Sequence, residues 1–121
     1  MSLTRSLERP PACGSGGALG LQVEIRPGVP AVVGISGELD IASASWLRET
    51  LLLTMRCHGP AICVDLRGVT FLDCSGINAL LATARRARLE GGRMRVTSPS
   101  APARRVIGLL GLQGVLASVD E

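Results

Sequence analysis

The sequence predicts one α/β domain: a small mixed β-sheet with helices packed against it. Three observations carry that prediction. The chain has 121 residues, enough for a single domain with a real core. Its first half holds two strand patterns joined by a turn, Leu21-Gln22-Val23-Glu24-Ile25 and Ala31-Val32-Val33-Gly34-Ile35, which read as an antiparallel hairpin. Its second half alternates strand and helix patterns, which argues for parallel pairing through right-handed crossovers. Apolar residues make up 46% of the chain, yet only Trp46 and Phe71 are aromatic, so the core must be Val, Ile, Leu and Ala.

Residues 1–18 are rich in Gly, Ser and Pro and bury too little apolar surface to fold, so they are expected to form a flexible tail, with the domain spanning 19–121. The first strand has period two and one wet face; Arg26-Pro27-Gly28 supplies the turn after it. Gly37-Glu38-Leu39-Asp40 leads out of the sheet, with Asp40 as a turn or cap residue. Ser43 or Ser45 caps a helix running to about Cys57, whose buried stripe is Ala44, Leu47, Leu51, Thr54 and Met55. Trp46 falls off that stripe and either covers an edge of the core or touches a partner. His58-Gly59-Pro60 ends the helix, leaving His58 exposed. Ala61 to Leu66 is almost continuously apolar, as in a central strand covered on both faces. A helix from Ser75 to about Glu90 turns Ile77, Leu80, Leu81 and Ala84 inward and Arg85, Arg86 and Arg88 mostly outward, and Gly91-Gly92 stops it. Arg93 to Thr97 is a strand. Ser98-Pro99-Ser100 caps a helix with Val106, Ile107 and Leu110 inward and Gly111 at its end, and Val115 to Val119 is a last short strand.

Composition excludes several functions. No apolar stretch is long enough to span a membrane, and no apolar block follows Arg5 and Arg9, so neither a membrane anchor nor a signal peptide is expected and the chain is placed in the cytoplasm. Cys13, Cys57, Cys63 and Cys74 form no Cys-x-x-Cys pair and are expected as free thiols. With His58 as the one histidine, a His-rich metal site is excluded. All thirteen basic residues are arginine, and seven of them fall between Arg85 and Arg105. That patch lacks the aromatic platforms of a nucleic-acid surface and reads as a solvated face or a contact for an acidic protein. No Gly-x-Ser-x-Gly or Gly-x-x-x-x-Gly-Lys string is present, and nothing brings His58 to Cys74 as a hydrolytic pair.

One stretch carries chemistry. Asp73-Cys74-Ser75-Gly76 sits where an apolar strand gives way to a helix. A helix start has free backbone N–H groups and a partial positive charge, so it tolerates an added anion. Gly76 carries no side chain and leaves Ser75 open to a second molecule, so its hydroxyl can accept a phosphoryl group without breaking the fold. The plainer alternative is that Ser75 or Asp73 only caps the helix. Cys74 is either a small residue packed under the helix or a redox-active thiol at its start.

These residues resemble the signature of the STAS domain family, most closely its anti-sigma-factor antagonist branch. The match runs through Val64-Asp65-Leu66, Val69-Thr70-Phe71-Leu72 and Asp73-Cys74-Ser75-Gly76. Gly37-Glu38-Leu39-Asp40 and Leu109-Leu110-Gly111-Leu112 before the last strand are further landmarks, in the family's order, over about residues 20 to 120. The family most often has serine where Cys74 stands, and Ser75 aligns with its modified position. The resemblance implies a protein that, unphosphorylated, binds an anti-sigma factor which is also a serine kinase and so frees the sigma factor. Phosphorylation at Ser75 would release it, and a serine phosphatase acting transiently would reset it. Asp40, Asp73, Cys74, Ser75, Gly76 and Asn78 would form the partner-facing surface. No catalysis by this chain, no cofactor or metal, no direct nucleic-acid or membrane contact, and a monomer or weak homodimer are implied. Other STAS domains imply the alternatives of a non-switching adaptor or scaffold, or a nucleotide-binding module.

Overall fold

Leu21, Val23 and Ile25 are sealed from solvent while Gln22, Glu24 and Arg26 between them are exposed. That alternation, repeated strand by strand, decides which face of the sheet the helices cover. A computed structural model describes residues 14–109. In order, the elements are β1 (Gly14–Ala18), β2 (Leu21–Arg26), β3 (Ala31–Leu39), α1 (Ile41–His58), β4 (Ala61–Leu72), α2 (Cys74–Leu89), β5 (Arg93–Thr97) and α3 (Ala101–Leu109). The strands lie side by side in chain order. β1–β2 and β2–β3 pair antiparallel; β3–β4 and β4–β5 pair parallel, with α1 and α2 as the crossovers. The expected mixed sheet and its division into an antiparallel and a parallel half are therefore both present.

The core is one cluster. Val23, Val33, Val64 and Val96 come from the sheet, Leu47 and Leu51 from α1, Ile77 and Leu80 from α2, and Ala103 and Ile107 from α3. Each fully buried Leu or Ile contributes on the order of 1.5–3 kcal/mol of transfer free energy. Thr50, Thr54 and Thr83 are fully buried too. Their hydroxyls donate to the carbonyls four residues earlier, Trp46, Thr50 and Ala79, at 2.8, 2.8 and 2.9 Å, so no polar group is stranded there.

Several local expectations are corrected. Gly14–Ala18 lies within the stretch read as tail but forms the edge strand β1. Its pairing uses backbone groups alone, so no apolar pattern announces it. Leu19 and Gly20, at φ 57° and 85°, make the tight turn that the twist of a hairpin favours. Residues 1–13 lie outside the described residues, as do Leu110 to Leu112 and the strand expected at Val115 to Val119. β4 is not covered on both faces: Ile62, Val64 and Leu66 are buried, while Cys63 and Asp65 are half-buried and Arg67 is exposed. Nor does β4 stop at Leu66. It continues through Arg67 and Gly68 by slipping register against β3 between Gly34 and Ser36. Gly68 permits the slip, because a Cβ there would stand 2.6 Å from Ser36 Cβ.

Trp46 is 5% exposed and part of the core, not an edge or partner residue. α1 packs on both the sheet and α2, so its buried stripe is wider than one facing the sheet alone and takes in Trp46 and Thr50. Ala44, expected inside, is half-buried, and His58, expected exposed, is half-buried. Ser100 caps α3 as expected: its hydroxyl oxygen accepts the Ala103 N–H at 3.3 Å.

Candidate functional site

β3 and β4 run parallel and finish together, with Leu39 opposite Leu72. Each strand feeds directly into a helix, so the starts of α1 and α2 stand side by side at one edge of the domain. An Asp caps each. Asp40 Oδ1 accepts the N–H groups of Ala42 at 3.0 Å and Ser43 at 3.3 Å, and the Asp40 N–H donates back to Ser43 Oγ at 3.1 Å, closing a capping box. The cap is thus Asp40 rather than Ser43 or Ser45, and Ser43 is its reciprocal partner. Asp73 Oδ1 accepts the Gly76 N–H at 3.1 Å, and the Asp73 N–H donates to the Leu39 carbonyl at 3.3 Å, which ties the two helix starts together. Both carboxylates thus act as helix caps through Oδ1. Asp40→Ala and Asp73→Ala should each cost about 1 kcal/mol in urea unfolding, with Asp40 the larger because it serves two N–H groups.

Because Asp73 is the cap, Ser75 is not. It occupies the second position of α2, half-buried, and its hydroxyl has no hydrogen-bond partner among the described residues. Gly76 fixes that placement. It is buried where α2 meets the ends of β3 and β4, with room for no side chain. Cys74 is exposed, so the expectation of a residue packed under the helix is corrected: at the first helical position its side chain precedes the buried stripe that begins at Gly76. Asn78 is exposed one turn on from Ser75.

Ser75 and Asn78 line a shallow cleft of about 260 Å³ between the helices, together with Ala79 of α2 and Ile41, Ala44, Ser45 and Arg48 of α1. Ile41 is 78% exposed, and Phe71, just before the α2 cap, is 49% exposed. The structure therefore gathers Asp40, Asp73, Cys74, Ser75, Gly76 and Asn78 at one end of the domain. Ile41 and Arg48 were not singled out in the sequence. The signal that could have found them is the spacing of Ile41, Ser45 and Arg48, which puts them on one face of α1 away from its buried stripe.

Two other arrangements lie away from this end. A larger groove of about 590 Å³ runs over the open face of the sheet, lined by polar residues such as Gln22, Glu24, Ser36 and Asp65 and by none of the residues above. Asp65 there accepts the Arg67 N–H at 2.9 Å and pairs with its guanidinium at 3.2 Å. His58 closes the far end of the 18-residue α1, about 25 Å from the helix starts, so it cannot pair with Cys74. Among the described residues no group of three or more His, Cys, Asp or Glu is placed to hold a metal ion, and no helix is long and apolar enough to cross a membrane.

Residues 24–117 match a family model described as the Mlab STAS domain. The chain belongs to the STAS domain family. Its similarity extends to STAS proteins named as anti-sigma factor antagonists. The anti-sigma-B factor antagonist of Bacillus subtilis is 27% identical over 84 residues, covering 69% of this chain and 76% of that protein. The anti-sigma-F factor antagonist RsfB of Mycobacterium tuberculosis is 32% identical over 82 residues, covering 68% of this chain and 66% of RsfB. The crystal structure of an anti-sigma factor antagonist from Mycobacterium paratuberculosis superposes with a TM-score of 0.73 at 29% identity, over 84% of this chain and 86% of that chain.

Proposed function

We propose that this STAS domain is an anti-sigma factor antagonist switched by phosphorylation of Ser75. The observation that carries the reading is the division of labour at the α2 start: Asp73 does the capping and leaves the Ser75 hydroxyl uncommitted in an open cleft. The names of its relatives supply the partner class. Unmodified, the helix starts with Asp40, Asp73, Cys74, Ser75, Gly76 and Asn78, joined by Ile41 and Phe71, dock an anti-sigma factor that is also a serine kinase, and the sigma factor is freed. The domain brings the acceptor and the docking surface, not catalysis. The kinase brings ATP, magnesium and the base that takes the Ser75 proton. Ser75 Oγ attacks the γ-phosphorus, the bond to the β-phosphate oxygen breaks, and ADP leaves. A serine phosphatase, engaging transiently, hydrolyses the phosphoserine and resets the switch. We place the cycle in the cytoplasm, where sigma factors meet RNA polymerase.

Size-exclusion chromatography tests the docking half. Added to an isolated anti-sigma–sigma complex, the unmodified chain should co-elute with the anti-sigma factor and leave free sigma factor. Sigma factor that stays bound at every ratio overturns the reading.

A further inference from the structure

Among the described residues, the cleft that holds Ser75 has one charged side chain in its walls, Arg48. Arg48 is exposed and, among the described residues, makes no ion pair or hydrogen bond. Ile41, Ser45 and Arg48 follow i, i+4, i+7 spacing along α1, and Ser75 and Asn78 follow i, i+3 spacing along α2, so the two rows face one another across the cleft. Asp40 and Asp73, the acidic caps at this end, are held by the N–H groups of their own helices, and neither lines the cleft. Glu49 follows Arg48 but is not a cleft residue either.

We propose that Arg48 receives the phosphate carried by Ser75, its guanidinium closing an ion pair across the cleft in the phosphorylated form. The inference rests on the phosphoswitch reading of Ser75. A phosphoserine brings about −1.5 to −2 charges and three acceptor oxygens near neutral pH. The planar guanidinium fork matches two of those oxygens at once. In the unmodified form Arg48 is a free cation beside exposed Ile41, open to an acidic group on a partner. In the phosphorylated form the chain supplies its own anion. The modification then changes the docking face twice over, adding negative charge at Ser75 and withdrawing positive charge at Arg48. Arg48 is a positioning residue for the phosphate, not a catalytic one.

The test uses the full chain with phosphoserine installed at position 75 by genetic encoding, so it reads out whether or not a kinase modifies Ser75. The phosphate is titrated by ³¹P NMR. In the wild type its second pKa should lie roughly 0.5 lower than in Arg48→Gln, the size expected of a surface ion pair. Arg48→Lys should recover part of that difference, and the remote Arg85→Gln should match the wild type. Equal pKa values in wild type and Arg48→Gln overturn the proposal. Failure of the kinase reaction alone would overturn the phosphoswitch reading and leave this titration to be judged by its own result.

Discussion

Gly76→Ala should destabilise the domain by about 1–3 kcal/mol, the range for overpacking a filled core. An ideal Cβ at Gly76 would stand 2.6 Å from Leu39 Cγ, 2.7 Å from Leu72 Cδ1 and 2.8 Å from the Leu39 carbonyl oxygen. The leucines have nowhere to go, being 0% and 5% exposed. The carbonyl is fixed at the end of β3, where it accepts the Asp73 N–H. Alanine is the better helix former by about 1 kcal/mol, which offsets part of the clash without reversing its sign. The melting temperature should fall by roughly 5–15 °C. Gly34→Ala is the control. Its Cβ meets nothing nearer than the Glu24 carbonyl at 3.8 Å, so it should stay within about 0.5 kcal/mol of the wild type. A Gly76→Ala variant as stable as Gly34→Ala would mean that α2 is not pressed against the strand ends, and the placement of Ser75 would lose its basis.

Phosphorylation of Ser75 should weaken binding to the anti-sigma factor by about 100-fold or more, roughly 2.7 kcal/mol. At its own helix start the phosphate is tolerated, since the exposed N–H groups favour an anion by about 0.3–1 kcal/mol. At the proposed docking face, which includes exposed Ile41 and Phe71, binding would have to desolvate the phosphate together with its Arg48 counter-ion, and Arg48 would no longer be available to the partner. The switch is therefore local. Titration calorimetry should show the affinity loss, while amide chemical shifts change around Asp73 to Asn78 and along the α1 face, and β1, β2 and β5 stay as they were. Shifts spread through the whole sheet, or a loss under threefold, would contradict a local switch.

Much of this was legible in the residues, and the parts that were not share a cause. The hairpin of β2 and β3 was readable because Leu21-Gln22-Val23-Glu24-Ile25 alternates, and one sealed face makes that alternation necessary. The α2 start was readable because an apolar strand, a capping Asp and a glycine fall in sequence there. β1 was not, since Gly14-Ser15-Gly16-Gly17 pairs through backbone alone. Asp40, Ser43 and Ser45 were all legible as cap candidates at the α1 start, and only the capping box identifies Asp40 as N-cap and Ser43 as its partner. Trp46 and Arg48 were misjudged or missed for one reason. Both depend on α2 lying beside α1, a contact between segments far apart in the chain. Periodicity reports which face of a helix is buried against the sheet. It does not report the second neighbour that turns Trp46 into core and sets Arg48 opposite Ser75.

The central claim is that Ser75 is the residue the partner modifies. Intact-mass analysis of the purified chain, incubated with its anti-sigma serine kinase and Mg-ATP alongside Ser75→Ala, tests it most directly. The expected result is one added phosphate on the wild type and none on Ser75→Ala. A phosphate on both would move the switch to another residue. No phosphate on either, with tight binding regardless of ATP, would make this STAS domain a constitutive adaptor.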